Sequence, residues 1–230
     1  MEISLSVLGI KENIKERMFK FEKLGINYFH IDVIDGKFAE RNTIEDMKEK
    51  MFYINNFSNL PVDIHVMAEY ENLNTLIDSF GSYFPNSIAF HIEAFKDIKD
   101  EKEKEEKILK YIKKVYDNHS KPVLVINPET DEKEILKFLP KIYKVLVMTV
   151  KPGDGGRPFE NTVLEKIKRI KKYIEENNLD TYIEVDGAVS DKTVNEIRKA
   201  GADIVSVGSY LTNETDENIL KEKINILKNA

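Results

Sequence analysis

Short apolar runs recur along the chain, and each gives way to a longer stretch in which apolar residues return every three or four positions. Eight runs read as strands: Ile3–Val7, Tyr28–Val33, Val62–Met67, Ser87–His91, Pro122–Ile126, Lys144–Met148, Tyr182–Val185 and Ile204–Val207. Val163, Ile167, Ile170 and Ile174 share one helical face after the sixth run, and Leu220, Ile224 and Leu227 do so after the eighth. Asn161 or Glu160 is expected to begin the former helix and Asn177-Asn178 to end it. Gly201, after Ile197-Arg198-Lys199-Ala200, reads as a helix-terminating glycine. A strand followed by a helix, eight times over, predicts an α/β fold: a single (β/α)8 TIM barrel of eight parallel strands, spanning 1–230 as one domain. No linker or low-complexity tract interrupts the pattern.

The densest charge run, from Lys96 to Lys114, mixes signs at helical spacing. It reads as a solvated outer helix with Ile108, Leu109 and Ile112 facing inward. A hydrophobic fraction of 41% supplies a core, and 33% charged residues supply a surface. The net charge of −6 argues against nucleic acid or an anionic membrane as partner. The chain has no cysteine, which excludes disulfides, thiolate ligands and a cysteine nucleophile. Met1-Glu2-Ile3-Ser4 lacks the basic and apolar regions of a signal peptide. No apolar run approaches the roughly 20 residues needed to span a bilayer. The expectation is a soluble cytoplasmic protein.

Chemistry-bearing residues cluster where strands end. His30 and Asp32 close the second run, His65 nearly closes the third, and Asp186 follows the seventh. Residues i and i+2 of a strand share a face, so His30 and Asp32 project together. Two imidazoles and two carboxylates meeting at one point make a site for a divalent ion. A histidine at a strand end is also an ordinary structural residue, and spacing alone leaves both readings open. His91 stands in the same ambiguity. Asp63 precedes His65 by two and can share its face. Asp35, followed by Gly36, reads as a turn former.

The segment Val150-Lys151-Pro152-Gly153-Asp154-Gly155-Gly156-Arg157-Pro158-Phe159 follows the sixth strand. It is neither a Walker loop nor a dinucleotide fingerprint. Such a loop turns backbone N–H groups toward an anion. Gly187 and Gly208-Ser209, after strands seven and eight, lie where barrels commonly hold phosphate, near the starts of the following helices. Ordinary tight turns are the plainer reading of Gly208-Ser209 taken alone, but three glycine-bearing loops on one barrel face favour phosphate. Met67 and Met148 read as core filler or as an apolar floor.

These pieces together resemble the ribulose-phosphate 3-epimerase family across nearly the whole chain. The matching motifs are LSVL at Leu5–Leu8, HIDVIDGKF at His30–Phe38, DIHVM at Asp63–Met67, HIEA at His91–Ala94, NPET at Asn127–Thr130, VMTVKPGDGG at Val147–Gly156, EVDG at Glu184–Gly187 and VGS at Val207–Ser209. The resemblance implies that His30, Asp32, His65 and Asp186 hold one divalent metal ion (Zn, Fe, Mn, Co or Mg). It implies that Asp32 and Asp186 are the catalytic acid and base. It places Ser6, His65, Met67, Met148, Gly153, Asp154, Gly155, Gly156, Gly187, Ala188, Gly208 and Ser209 at the substrate. The implied reaction is C3 epimerisation of a phosphorylated ketose, D-ribulose 5-phosphate to D-xylulose 5-phosphate, through an enediolate. A homo-oligomer, dimer or hexamer, is implied as well.

The chain departs from the family pattern at the rim. Ile34 stands where the family usually has Met, and Lys37 where it has His. Ala39-Glu40-Arg41 stands where Val-Pro-Asn is usual. Lys151, Asp154, Arg157 and Ala188 also differ. These changes leave open an allulose 6-phosphate 3-epimerase or another ketose-phosphate epimerase. A non-catalytic sugar-phosphate-binding barrel is the alternative of another class. A decarboxylase barrel with an Asp-x-Lys-x-x-Asp pattern is disfavoured, because the third strand carries no lysine.

Overall fold

A computed structural model of the chain describes residues 1–153 and 158–230. Eight parallel strands close on themselves in sequence order. They are β1 Glu2–Ser6, β2 Tyr28–Ile34, β3 Val62–Met67, β4 Ser87–His91, β5 Lys121–Ile126, β6 Lys144–Met148, β7 Tyr182–Asp186 and β8 Ile204–Val207. The pairing of β8 with β1, Ile3 opposite Val205, seals the barrel. Every expected strand is present within a residue at either end.

The helices between them are α1 Ile14–Lys23, α2 Ile44–Phe57, α3 Tyr70–Gly81, α4 Glu101–Asp117, α5 Lys133–Leu136, α6 Thr162–Glu176, α7 Val194–Ala200, α8 Ser209–Thr212 and α9 Glu217–Asn229. Each long helix turns one apolar stripe onto the barrel. In α6 the stripe is Val163, Ile167, Ile170 and Ile174, and in α9 it is Leu220, Ile224 and Leu227. Burying one such side chain contributes about 1.5–3 kcal/mol relative to leaving it in water. The charge-dense helix α4 buries Ile108, Tyr111, Ile112 and Val115, while Leu109 packs at the margin. Its N-terminal Asp100 accepts from the Glu103 amide, and Asp216 caps α9 in the same manner. Asn161 and Asn177 flank α6, and Gly201 ends α7 with φ of 106°. Among the described residues, no helix is long and apolar enough to cross a membrane.

Strand alternation sends one set of side chains outward to the helices and the other into the barrel. The outward set forms the large apolar core. The inward set is split. Ala89, Val123, Val125, Leu146 and Met148 fill the side made by β4, β5 and β6. The other side is polar: Ser4, Ser6, His30, Asp32, Asp63, His65, Glu184 and Ser206 are all buried. Lys144 reaches across from β6 to neutralise the lower layer. Its Nζ lies 2.7 Å from Asp63 and 2.5 Å from Glu184. Asp63 also accepts from Ser87 and Asn86. Asp63 does share the inward face with His65, but it belongs to this lower layer.

Removing the shared cation leaves two buried carboxylates unpaired, a loss that costs about 3–5 kcal/mol. We predict that Lys144→Met lowers the unfolding free energy by about that amount in a urea titration. An unchanged midpoint and slope would show that the carboxylates do not depend on the lysine.

Candidate active site

The upper layer of the polar half lies at the C-terminal ends of the strands. Register brings its members together from separate parts of the chain. Asp32 of β2 stands opposite His65 of β3, and Ser6 of β1 opposite His30 of β2. Asp186 of β7 stands beside Met148 of β6. One ligand-type atom from each of His30, Asp32, His65 and Asp186 lies within 4.8 Å of all the others. The spacing left this convergence open; the folded chain has it.

The atoms that face each other are specific. His30 Nε2 lies 3.2 Å from Asp32 Oδ1 and 3.9 Å from Asp186 Oδ2. His65 Nδ1 lies 3.3 Å and 3.6 Å from the same two oxygens. The two nitrogens face one another at 3.4 Å. The second oxygen of Asp32 accepts from Ser6 Oγ at 2.6 Å. Both histidines and Asp32 are buried, while the Asp186 side chain remains 17% exposed.

This cluster demands positive charge. Burial by itself would lower the proton affinity of His30, but Asp32 outweighs it, helped by Glu184 and Asp186, and holds the ring well above its ordinary range. Burial of His65 is likewise outweighed, by Asp186 and Asp32, and its affinity is raised. Burial would raise Asp32, yet His30 and His65 hold its carboxyl far below the ordinary range. Protons on the two imidazoles are one source of that charge. A divalent cation at the same centre would supply it without protons. The donor set of two nitrogens and two carboxylate oxygens fits such an ion.

Polar groups to which the sequence assigned no site role lie behind the cluster. Glu184 Oε1 lies 3.6 Å from His30 Nδ1, on the side of the ring away from the cluster. His65 Nε2 lies 2.9 Å from His91 Nε2, and His91 Nδ1 lies 3.1 Å from Glu93. Burial lowers the proton affinity of His91 despite Glu93, in contrast to the other two rings. Glu93 follows His91 by two residues, as Asp32 follows His30, so the sequence carried a signal for it. Lys166, buried in α6, donates to the carbonyls of Asn127 and Pro128 and pins the loop after β5. No chain spacing announces that contact.

Above the cluster opens a cavity of 790 Å³. Its walls include Ser6, Asp32, Met67, Met148, Gly153, Asp186, Gly187, Ala188, Gly208 and Ser209. His65 lies beneath this floor and is not among the lining residues. Asp154, Gly155, Gly156 and the rim residue Arg157 lie outside the described residues. Met67 and Met148 are buried at 3% and 4% exposure and form an apolar part of the floor. Gly187 adopts φ of 111°, and a Cβ there would meet Val150 and Thr149 at 2.7 and 2.8 Å, so glycine is required for this turn. Helix α8 is a single turn and α7 begins at Val194, well after Gly187. Neither β7 nor β8 therefore leads directly into a long helix. At the rim, Lys37 pairs with Glu71, Lys11 with Asp46 and Lys96 with Glu69. Arg41 and Lys151 line the cavity wall. Asp35 is a turn former, as expected: its two oxygens accept from the amides of Lys37, Phe38 and Glu69 and from Asn72.

Glu184 ties the upper layer to the lower one, and its titration is readable. Burial would raise it, but Lys144 and His30 outweigh burial and hold it at about 2, below its ordinary 4.5. A lowered carboxyl stabilises the fold fully above its unfolded value and ceases to do so as pH falls through the folded one. We predict that Glu184→Gln is less stable than the parent at neutral pH, with a shallower loss of stability from pH about 4.5 down to about 2. Parallel acid limbs in chemical denaturation would contradict this.

Comparison with known proteins agrees with the geometry. The profile of the ribulose-phosphate 3 epimerase family matches residues 2–212. The ribulose-phosphate 3-epimerase of Methanocaldococcus jannaschii is 33% identical over 217 residues, covering 94% of this chain and 86% of the relative. That of Helicobacter pylori is 32% identical over 85% of this chain and 84% of the relative. That of Escherichia coli is 31% identical over 84% and 80%. Among solved structures, 3-hexulose-6-phosphate synthase from Salmonella typhimurium superposes with a TM-score of 0.65 at 15% identity, covering 100% of this chain and 99% of that one. The tryptophan synthase α-subunit of Pyrococcus furiosus gives 0.67 at 14% identity, over 100% and 98%. At such identities the structural likeness establishes the barrel alone.

Proposed function

The chain belongs to the ribulose-phosphate 3-epimerase family, an enzyme family acting on carbohydrates, and on that premise we propose a metal-dependent C3 epimerase that converts D-ribulose 5-phosphate to D-xylulose 5-phosphate. The observation that carries the reading is the meeting of His30, Asp32, His65 and Asp186 under a cavity at the C-terminal mouth of the barrel.

The proton on C3 of a 2-ketose is acidified by the adjacent carbonyl. A divalent ion, when bound, supplies Lewis-acid stabilisation of the charge that develops on the substrate oxygens. Inversion at C3 needs a base on one face and an acid on the other, since one group reaches one face only. Asp32 and Asp186 come from β2 and β7, with β1 and β8 between them, so they approach from different sides of the barrel. Ser6 fixes one oxygen of Asp32 and leaves the other toward the cluster. Met67 and Met148 keep the reacting end of the cavity apolar, which strengthens electrostatic effects there. We assign the phosphate to the amides of Gly187-Ala188 and Gly208-Ser209, with Gly155-Gly156 as the third loop. Remote binding of this kind supplies positioning energy, and it needs no basic patch. The two imidazoles favour Zn, Fe or Co over Mg in the donor set, and the carboxylates also suit Mn.

Two opposed carboxylates at the floor of the cavity give a purely binding barrel no advantage, which sets the non-catalytic reading second. A hexulose phosphate such as allulose 6-phosphate remains the competing substrate because the altered rim contacts its far end. The single-domain reading of 1–230, a dimer or hexamer and a cytoplasmic location are parts of the same proposal.

Three outcomes check it. Purified protein carries one divalent ion per chain, and chelation abolishes turnover until the ion is restored; full activity without metal would refute the role. Asp32→Asn and Asp186→Asn each lower kcat by at least about 100-fold, the usual scale for loss of a general acid or base, with the fold intact by thermal melt. Metal content is measured alongside. Near-parent turnover in either variant with metal bound would reject the two-base assignment. On a panel of pentulose and hexulose phosphates, ribulose 5-phosphate turns over fastest and solvent deuterium enters C3. Faster turnover of a hexulose phosphate would replace the substrate, and no exchange on any member would favour the binding barrel.

A further inference from the structure

His65 has polar neighbours on both sides of its ring. Nδ1 faces the two aspartates, and Nε2 faces Nε2 of His91 at 2.9 Å. The two rings lie within 23° of coplanar with centroids 5.1 Å apart, as expected of imidazoles meeting edge to edge along one N–H···N line. His91 is fully buried, and Phe38 covers it from the β2 loop at 4.7 Å. Its other nitrogen, Nδ1, lies 3.1 Å from Glu93 Oε2. The second oxygen of Glu93 accepts from the Asn127 amide at 2.8 Å and from the Thr130 hydroxyl.

One proton placement satisfies this chain. An ionised carboxylate only accepts, so His91 Nδ1 carries the hydrogen toward Glu93. A neutral imidazole has one N–H, so His91 Nε2 presents a lone pair. The hydrogen between the two histidines then belongs to His65 Nε2. Neutral His65 is left with a bare Nδ1, aimed at the centre of the cluster. Histidine ligands usually direct their second N–H to a carboxylate, a carbonyl or water. Here an imidazole takes that place and passes the demand on to a carboxylate one residue pair away.

We propose that His91, oriented by Glu93, is a positioning residue that fixes the ring of His65 with its Nδ1 lone pair toward the cation site, and that the loop after β5 sets this arrangement through Asn127 and Thr130. The proposal rests on the reading of His65 as a metal ligand. It adds a coupling between the ligand set and a loop that reaches it through Glu93. Behind His30, Nδ1 and Glu184 Oε1 stand 3.6 Å apart without a hydrogen bond between them.

The test combines proton placement with ion affinity. In metal-free protein, at a pH high enough to leave His65 neutral, ¹⁵N NMR of the ring nitrogens locates each hydrogen. The expected result is hydrogen on His65 Nε2 and His91 Nδ1, with a through-bond coupling between the two Nε2 atoms. Hydrogen on His91 Nε2 instead would reverse the chain and overturn the proposal. Zinc affinity is then read by competition with a chromophoric chelator. His91→Phe weakens zinc binding about 10- to 100-fold, the usual scale for loss of a ligand's supporting partner. His91→Gln, which keeps an acceptor near that position, recovers part of the loss. Thr130→Val, whose substitution lies outside the barrel interior, gives a smaller loss in the same direction and guards against misfolding of the histidine variants. Equal zinc affinity in all four proteins would overturn the proposal alone. No zinc binding by the parent protein would overturn the metal reading and the proposal together.

Discussion

A carboxylate inside a barrel must have a positive partner, because an unpaired buried charge costs several kcal/mol. The polar half of this interior holds Asp32, Asp63, Glu184 and Asp186. Among the described residues, Lys144 is the lysine that reaches them, and it serves Asp63 and Glu184 in the lower layer. The upper layer has the same number of carboxylates, Asp32 and Asp186, and two imidazoles in place of a lysine. Its positive charge has to be borrowed, either as protons on His30 and His65 or as a cation between them. Much else in the site follows from that imbalance: the raised proton affinity of both rings, the depressed carboxyl of Asp32, and the fit of the cluster to a divalent ion.

The same constraint explains why the interior divides into halves. Charged layers need neighbours that hydrogen-bond, and Ser6, Ser87 and Asn86 provide them. The opposite wall, Ala89, Val123, Val125, Leu146 and Met148, excludes water and keeps the local dielectric low. Catalysis benefits from both. Asp32 and Glu184 stay ionised because their partners are close, and their field stays strong because little water screens it. The rim can vary without disturbing this balance, since Lys37, Lys11 and Lys96 find their partners at the surface.

Much of this was legible in the chain. Strand positions followed from short apolar runs, and helix faces from residues such as Ile167 and Ile170. The ligand set was visible as polar residues at strand ends, and the inward pairs two residues apart, His30 with Asp32 and Glu184 with Asp186, carry the period of a strand. What stayed hidden depended on register around the barrel. Lys144 opens the sixth apolar run with no chain neighbour to mark its role, yet closure places it beside Asp63 and Glu184, from 40 to 81 residues away. His91 stayed ambiguous because its partner His65 sits on the neighbouring strand. Glu93 repeated the two-residue spacing but lies in a 3₁₀ turn, where strand alternation no longer tells which way a side chain points. The phosphate loop after β6 was legible as glycine-rich, and residues 154–157 lie outside the described structure.

The central claim is that one divalent ion sits between two imidazoles and two carboxylates, and X-ray absorption at the metal edge tests it most directly. On protein loaded with a single equivalent of zinc, the account predicts a mixed shell of nitrogen and oxygen at about 2.0–2.2 Å, with the outer scattering of two histidine rings. Replacing His65 with Ala should reduce that outer scattering to one ring. A shell of oxygen alone, unchanged by loss of either histidine, would place the ion elsewhere and contradict the account.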